Sequence, residues 1–415
     1  MPGSDQQRLL VLSNVWVEPT ASAAGWRMER LLDSFLAHGY RIDYATTATP
    51  SALAIDLPAK GIATHHIRVN DDAFDAFLLE CAPDVVLFDR FMVEEQFGWR
   101  VAEHLPKAVR VLDSEDLHGL RYAREAALNA GRPFQASDLH REIMFRELAA
   151  IHRCDLTLVI SSFEMNLLKE QFNVAPNLLF YMPFQLSQSS IDEVERMPLF
   201  DARTDFVSIG NFKHAPNRDA VKALKEELWP RIRQALPEAR LQVYGAYAGQ
   251  HVMQWHDSKQ GFLVNGHAPS AGQVLKKARV LLAPLRFGAG LKGKLVDAMR
   301  FGLPSITTSI GAEGIGEAAT WPGAICDDWS AFADQAIQYY KNDSVWQDAR
   351  DKMKPLLDDR FGNAELESAS MQRIAEIKLD LAEHRNKNWV GGMLQLNSQK
   401  SYRYLSKWIM AKASR

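Results

Sequence analysis

Three cysteines in 415 residues, Cys81, Cys154 and Cys326, lie far apart and show no metal-ligand spacing. That excludes a disulfide framework and a cysteine zinc site; the three read as small buried hydrophobes in a reducing compartment. Charge of one sign is also lacking. The 48 Lys and Arg stand against 51 Asp and Glu, so the formal net charge of −3 sets up no field that would draw nucleic acid. No apolar run approaches the roughly 18 residues of a membrane span. The start, MPGSDQQRLLVLSNVWV, lacks the basic opening and long apolar stretch of a secretory signal. Two nucleotide fingerprints are missing as well. The first strand candidate runs into NVWVEPTASAAGWRMER, with a single glycine where a dinucleotide site needs Gly-x-Gly-x-x-Gly. The P-loop pattern Gly-x-x-x-x-Gly-Lys-Ser/Thr is absent. These absences leave a cytoplasmic α/β protein without a nicotinamide or P-loop site.

What is present is alternation. Short apolar runs give seven strand candidates between residues 9 and 181 and six between 206 and 326, with amphipathic helical patterns between most of them. Strands alternating with helices predict parallel sheets covered on both faces. The polar stretch 185–203, rich in Ser and acids, separates the two periodic regions and reads as a linker. The expected domains are residues 1–184 and 204–363, followed by a closing helix over 364–385 and a basic tail over 386–415.

The densest pattern is VLLAPLRFGAGLKGKLVDAMRFGLPSITTSIGAEG at 280–314. A buried strand ends at Pro284, Gly288 and Gly290 break the pattern, a helix restarts near Lys294, and Gly302-Leu303-Pro304 leads to another strand. Such a loop exposes backbone N–H groups at a helix N-terminus, where phosphate binds well. The helix dipole disfavours Lys292 and Lys294 at that end, so an anion would account for them. A tight turn with two solvated lysines is the plainer alternative, and the loop by itself leaves both open.

Further pieces follow in order. They are Gly210-Asn211-Phe212, Pro216-Asn217-Arg218-Asp219, Leu236-Pro237-Glu238-Ala239, Val243-Tyr244-Gly245, Asn265-Gly266, Ala283-Pro284-Leu285, Gly302-Leu303-Pro304 and Gly311-Ala312-Glu313-Gly314. Ala23-Ala24-Gly25 with Arg27, and His38-Gly39, match more loosely. Over these residues the chain resembles the GT-B glycosyltransferases of group 1, family four. The resemblance implies two Rossmann-like doubly wound domains facing a cleft, the second holding a nucleotide-sugar and the first most of the acceptor site. It also implies hexosyl transfer with retention of anomeric configuration, no metal, and no cofactor beyond the nucleotide-sugar co-substrate. The acceptor class, carbohydrate, lipid or protein, stays open. A sugar-nucleotide epimerase and a non-catalytic sugar- or nucleotide-binding protein are the alternatives on the same fold.

Residue by residue, the resemblance assigns the donor diphosphate to Gly25, Gly210, Lys213, Arg286, Gly288, Gly290, Leu291, Lys292 and Lys294, with Glu313 facing the cleft. A leaving diphosphate needs fixed donors, which loop amides and these cations supply. Asp297 takes the ribose diol, since a carboxylate only accepts hydrogen bonds. A surface Lys294–Asp297 pair three residues apart is the plainer reading. Two departures stand out. Ala289 occupies the place of the family's first glutamate, for which loop amides are the expected substitute, and Asn211 occupies the place of its arginine. In the first domain the loop after a strand carries Glu115, Asp116 and His118, the expected catalytic cluster; acids capping the next helix are the plainer reading.

From Arg385 to Arg415 there are seven Lys or Arg and no acid. Tyr402, Leu405 and Ile409 share one helical face with Trp408 beside them, and Lys400, Arg403 and Lys407 lie opposite. That pattern is compatible with an interfacial helix on anionic lipid, at the inner face of a membrane. The narrow apolar face, and a break at Gly391-Gly392, favour packing on the protein's own acidic surface or on a second subunit of a homo-oligomer.

Overall fold

The computed structural model describes residues 6–413, apart from the side chains at 398–400, 402 and 413. The first sheet holds β1 (Arg8–Ser13), β2 (Arg41–Thr46), β3 (Ala63–His66), β4 (Val85–Asp89), β5 (Val109–Asp113), β6 (Leu156–Val159) and β7 (Leu179–Tyr181), in the order β3-β2-β1-β4-β5-β6-β7. The second holds β8 (Thr204–Ile209), β9 (Leu241–Tyr244), β10 (Phe262–Gly266), β11 (Ala278–Ala283), β12 (Ser305–Thr307) and β13 (Gly323–Ile325), in the order β10-β9-β8-β11-β12-β13. All neighbours are parallel. Both sheets are doubly wound, and each reverses its strand order beside its first strand, at β1/β4 and at β8/β11.

The strands read as unbroken apolar runs because both of their faces are covered. Leu10, Leu12, Val86 and Phe88 enter one helical layer, while Leu9, Val11, Val85 and Leu87 enter the other. In the second domain Phe206, Val280 and Leu282 oppose Val207, Leu281 and Ala283 in the same way. The chain then returns to its first domain. Helix Glu365–Leu379 places Met371, Ile374 and Ile377 in the layer containing Leu9 and Val11, and Lys378 and Arg385 pair with Asp84 and Asp155 at 2.7 and 2.8 Å.

Three local readings differ from the structure. Residues 185–203 are not an open polar linker but short helical turns. Ile191, Val194, Met197 and Phe200 recur every third residue and are buried, the side-chain register of a three-residue turn. Arg203 is wholly buried and donates to the carbonyls of Leu275, Ala278 and Phe301 at 2.9, 3.0 and 2.6 Å, anchoring the segment to the second domain. The helix expected from residue 115 starts at His118, which leaves Glu115 and Asp116 in a loop.

The break expected at Gly391-Gly392 does not occur; one helix runs from Trp389 to Ala413. The Asn388 side chain accepts from the Gly391 amide at 2.8 Å and donates to the His152 carbonyl at 2.7 Å. A Cβ on Gly391 would lie 2.2 Å from that carbonyl, so glycine there serves a close helix contact. The helix lies across helices Phe91–His104 and Glu142–Arg153 of the first domain, with Arg403 on Glu103 at 3.0 Å. Packing on the chain's own surface is therefore what the structure shows. The Lys400 and Tyr402 side chains, and Arg415, fall outside the described residues.

Candidate functional site

Ligands of doubly wound sheets sit beyond the carboxyl ends of the strands, at the reversal point. Here the two reversal points face each other. The loops after β1, β4 and β5 and those after β8 and β11 line one cleft of about 1190 Å³ between the domains. Two helix N-termini meet in it. Helix Ala23–Ala37 is capped by Ser22, whose hydroxyl accepts from the Gly25 amide at 3.0 Å. Helix Gly293–Arg300 begins at Lys292, which provides no side-chain acceptor for its first turn. A Cβ on Gly293 would lie 2.4 Å from the Ala23 Cβ, so the two ends touch. Both positive dipole ends point at the same space.

On the second-domain wall Lys294 is the notable residue. Its Nζ donates to Asn217 Oδ1 at 2.8 Å, and among the described residues no carboxylate lies within ion-pair distance. Burial pushes its pKa down to about 7. The plain reading of a Lys294–Asp297 pair fails, because Asp297 pairs with Arg300 at 2.9 Å. Gly210 leaves room for this pair, since a Cβ there would stand 2.7 Å from both Lys294 Nζ and Asn217 Cγ. Lys213 lies over the Tyr247 ring at 3.5 Å from its centre, and the Tyr247 hydroxyl donates to Glu18 of the first domain at 2.7 Å. Burial pushes His214 down to about 4, so it is neutral at pH 7.

The first-domain wall is built on buried charge. Arg27 holds Asp113 at 2.8 Å, and Ser13 and Arg90 hold Asp89 at 2.6 and 3.0 Å. Beside them Glu115 lines the cleft with one carboxyl oxygen unpartnered. Burial first, then the charge of Asp113, raise its pKa to about 8 against the pull of Arg90 and Arg27. Asp116 behaves oppositely. Burial alone would raise it, but Arg121 at 2.7 Å and His118 at 3.3 Å hold it well below the usual carboxylate range. Arg90, Glu115 and Tyr247 all have positive φ, at 74°, 59° and 60°. Non-glycine residues held in this region cluster at functional sites.

Several expected residues do other work. Arg286 is taken by Asp219, with Nε 2.8 Å from its carboxylate, and is not among the residues lining the cleft. Glu313 does not face the cleft either; Arg124 binds both its oxygens at 2.8 and 2.7 Å and also donates to the Gly288 carbonyl at 2.8 Å. Lys292 is 9% exposed and folds back onto the Gly290 carbonyl at 2.8 Å. Burial depresses its pKa while Glu313 opposes that shift. The Gly290 amide, expected to serve a ligand, donates to Glu164 at 2.7 Å. Ala289, at the place of the missing carboxylate, packs into the first domain's core. Gly288, Gly290, Leu291 and Lys292 do line the cleft, as do Gly25, Gly210, Lys213, Lys294, Asp297, Glu115, Asp116 and His118.

The sequence reading missed Asn217, His214, Arg90 and the clamps Arg124 and Glu164. Asn217 and His214 stand in or beside a quoted motif, and Arg90 follows a strand at the reversal point, so the strand-end rule would have found them. The clamps act from behind the loop and leave no local signal. Among the described residues no group of three or more His, Cys, Asp or Glu is arranged to hold a metal.

Residues 203–342 match the family described as Glycosyl transferases group 1. No curated protein sequence matches the chain. Solved structures share its fold at low identity. Sucrose-phosphate synthase from Thermosynechococcus elongatus is 14% identical with a TM-score of 0.66, covering 90% of this chain and 99% of its own. Anabaena HepE, solved with UDP and glucose, is 11% identical with a TM-score of 0.62, covering 89% and 99%. S. aureus TarM, in a complex containing UDP, is 12% identical with a TM-score of 0.56; it covers 72% of this chain, which spans only 58% of its length. The chain has the GT-B fold, and residues 203–342 of its second domain match the group-1 glycosyl transferase family model.

Proposed function

We propose that this GT-B protein transfers a sugar from a nucleotide-sugar donor to an acceptor hydroxyl in the interdomain cleft, with retention and without a metal. One observation carries the reading: Lys294, half-buried at two converging helix N-termini, has a neutral amide for its partner and, among the described residues, no carboxylate. That is a seat for an anion of two or more charges. The β-phosphate lies against Lys294 and the first amides of helix Gly293–Arg300, with Lys213 at the outer phosphate. Asp297 accepts from the ribose hydroxyls. During transfer the bond from the anomeric carbon to the phosphate oxygen breaks, and that oxygen keeps the electron pair. The acceptor oxygen bonds to the same carbon from the same face and gives its proton to the departing phosphate oxygen. Fixed cations stabilise the leaving diphosphate, as preorganised charge does in a water-poor site. HepE and TarM, both solved with UDP, make a uridine donor the first to try.

The test is release of nucleoside diphosphate from a panel of nucleotide-sugars, with and without candidate acceptors. Turnover of one donor supports the reading; saturable binding with no hydrolysis or transfer would leave a binding protein instead. Two further outcomes are expected. Asp297→Ala weakens a ribonucleotide more than its 2′,3′-dideoxy counterpart; equal losses in calorimetry would refute the diol contact. Alanine at Glu115, Asp116 or His118 lowers the single-turnover transfer rate more than donor affinity, because these residues belong to the acceptor wall. Normal rates in all three variants would move the acceptor-side chemistry elsewhere.

A further inference from the structure

Helix Trp389–Ala413 is mounted in an unusual sense. A surface helix normally turns its large apolar side chains toward the protein. This one turns mainly small and polar residues inward: Gly391 and Ser406 are buried, and Gln395 donates to the Arg153 carbonyl at 3.3 Å. Of the apolar residues only the half-buried Leu394 and Met410, the latter 3.7 Å from the buried Arg100, lie on that side among the described side chains. Its outer face carries Trp389, Met393, Leu396, Tyr404 and Trp408, exposed by 79, 58, 58, 69 and 59%. Their spacing of three, four and eight residues keeps them within one side of the helix, roughly 120° wide. Lys407 and Lys412 are exposed beside them, and Lys412 Nζ lies 5.0 Å from the Trp408 ring centre. No acid occurs from Arg385 to the end of the sequence.

We propose that this outer face is a lipid-binding surface that seats the protein on an anionic membrane. The 25 residues form a rod of roughly 37 Å that lies flat. It lies on the bilayer rather than through it, since no helix among the described residues is long and apolar enough to cross. Trp and Tyr favour the headgroup boundary, where ring and polar edge are both satisfied. Met393 and Leu396 enter the acyl region, and the lysines meet the phosphates. A second copy of the chain is the poorer occupant. A twofold contact sets a surface against itself, and this face would bring lysine to lysine with no acid on the helix to answer. The inference stands apart from the donor reading, because the helix lies on the first domain's outer helices rather than in the cleft.

The experiment is co-sedimentation of the full chain with vesicles of phosphatidylglycerol and phosphatidylcholine, against phosphatidylcholine alone. Binding is expected to the anionic vesicles, falling as salt rises, with a blue shift of tryptophan emission. Trp389→Ser with Trp408→Ser lowers the bound fraction by about tenfold, because the interfacial anchors are gone. Lys407→Gln with Lys412→Gln removes the preference for anionic lipid. All four positions are exposed, and an unchanged circular dichroism spectrum certifies each variant. Failure of the unaltered chain to sediment with anionic vesicles at low salt overturns the proposal. So does a dimer in light scattering that the tryptophan variant converts to monomer, which would make a second copy the occupant.

Discussion

Lys294→Ala lowers affinity for a nucleoside diphosphate by about 10- to 100-fold, the loss of one charge-assisted contact of roughly 1.5–3 kcal/mol, with the fold intact. The pH profile makes the prediction specific. Burial leaves the free Lys294 with a pKa of about 7, and a bound diphosphate favours the charged form and raises it. Below pH 7 the ammonium is already present, so binding costs no proton. Above pH 7 the site must take one up, and affinity falls by about tenfold per pH unit until the pKa of the bound state is reached. Calorimetry at pH 8 in buffers of different ionisation enthalpy should find uptake of about one proton, and Lys294→Ala should abolish it. Binding that is flat from pH 7 to 9 would show that Lys294 does not face the diphosphate.

Arg124→Ala is expected to be the most destabilising single change at the domain interface, at about 3 kcal/mol or more. It strips both hydrogen bonds from the Glu313 carboxylate, whose side chain is only 13% exposed, and frees the Gly288 carbonyl. A buried charge left alone costs more than the pair was worth, so Arg124→Ala with Glu313→Ala should recover part of the loss. Urea unfolding of the two variants decides this. A double variant no more stable than the single one would mean that Arg124 acts through its packing on Phe134 and Phe163 rather than through the pair. Because Arg124 grips the donor loop from the first domain, the single variant should also weaken diphosphate binding.

The candidate site was only partly legible. Gly288, Gly290, Lys294 and Asp297 belong to one strand–loop–helix unit, and their common place on the cleft wall follows from local spacing. Arg286 belongs to the same unit yet pairs with Asp219, 67 residues away, and sequence offers no means of choosing between that carboxylate and a ligand. The loop amides illustrate the same limit. A glycine-rich turn announces free N–H groups, but the Gly290 amide is claimed by Glu164 across the domain boundary.

By itself the sequence determined the two doubly wound domains. Strands covered on both faces must be apolar throughout, and helices between them must be apolar on one stripe, so the architecture is written in short windows. It did not disclose the helical turns of 185–203, whose three-residue recurrence of Ile191, Val194, Met197 and Phe200 is diluted by Ser and acidic residues and is recognised only once those side chains are seen buried. Only the tertiary structure decided which charges remain available. Arg124 and Glu313 meet from 189 residues apart, and Lys294 is left without a carboxylate because Asp297 turns to Arg300. The same holds for the outward face of helix Trp389–Ala413, since periodicity shows that a helix has two faces but not which one the protein covers. An ionic partner or a covering surface depends on where the folded chain closes on itself, and that is a property of the whole packing.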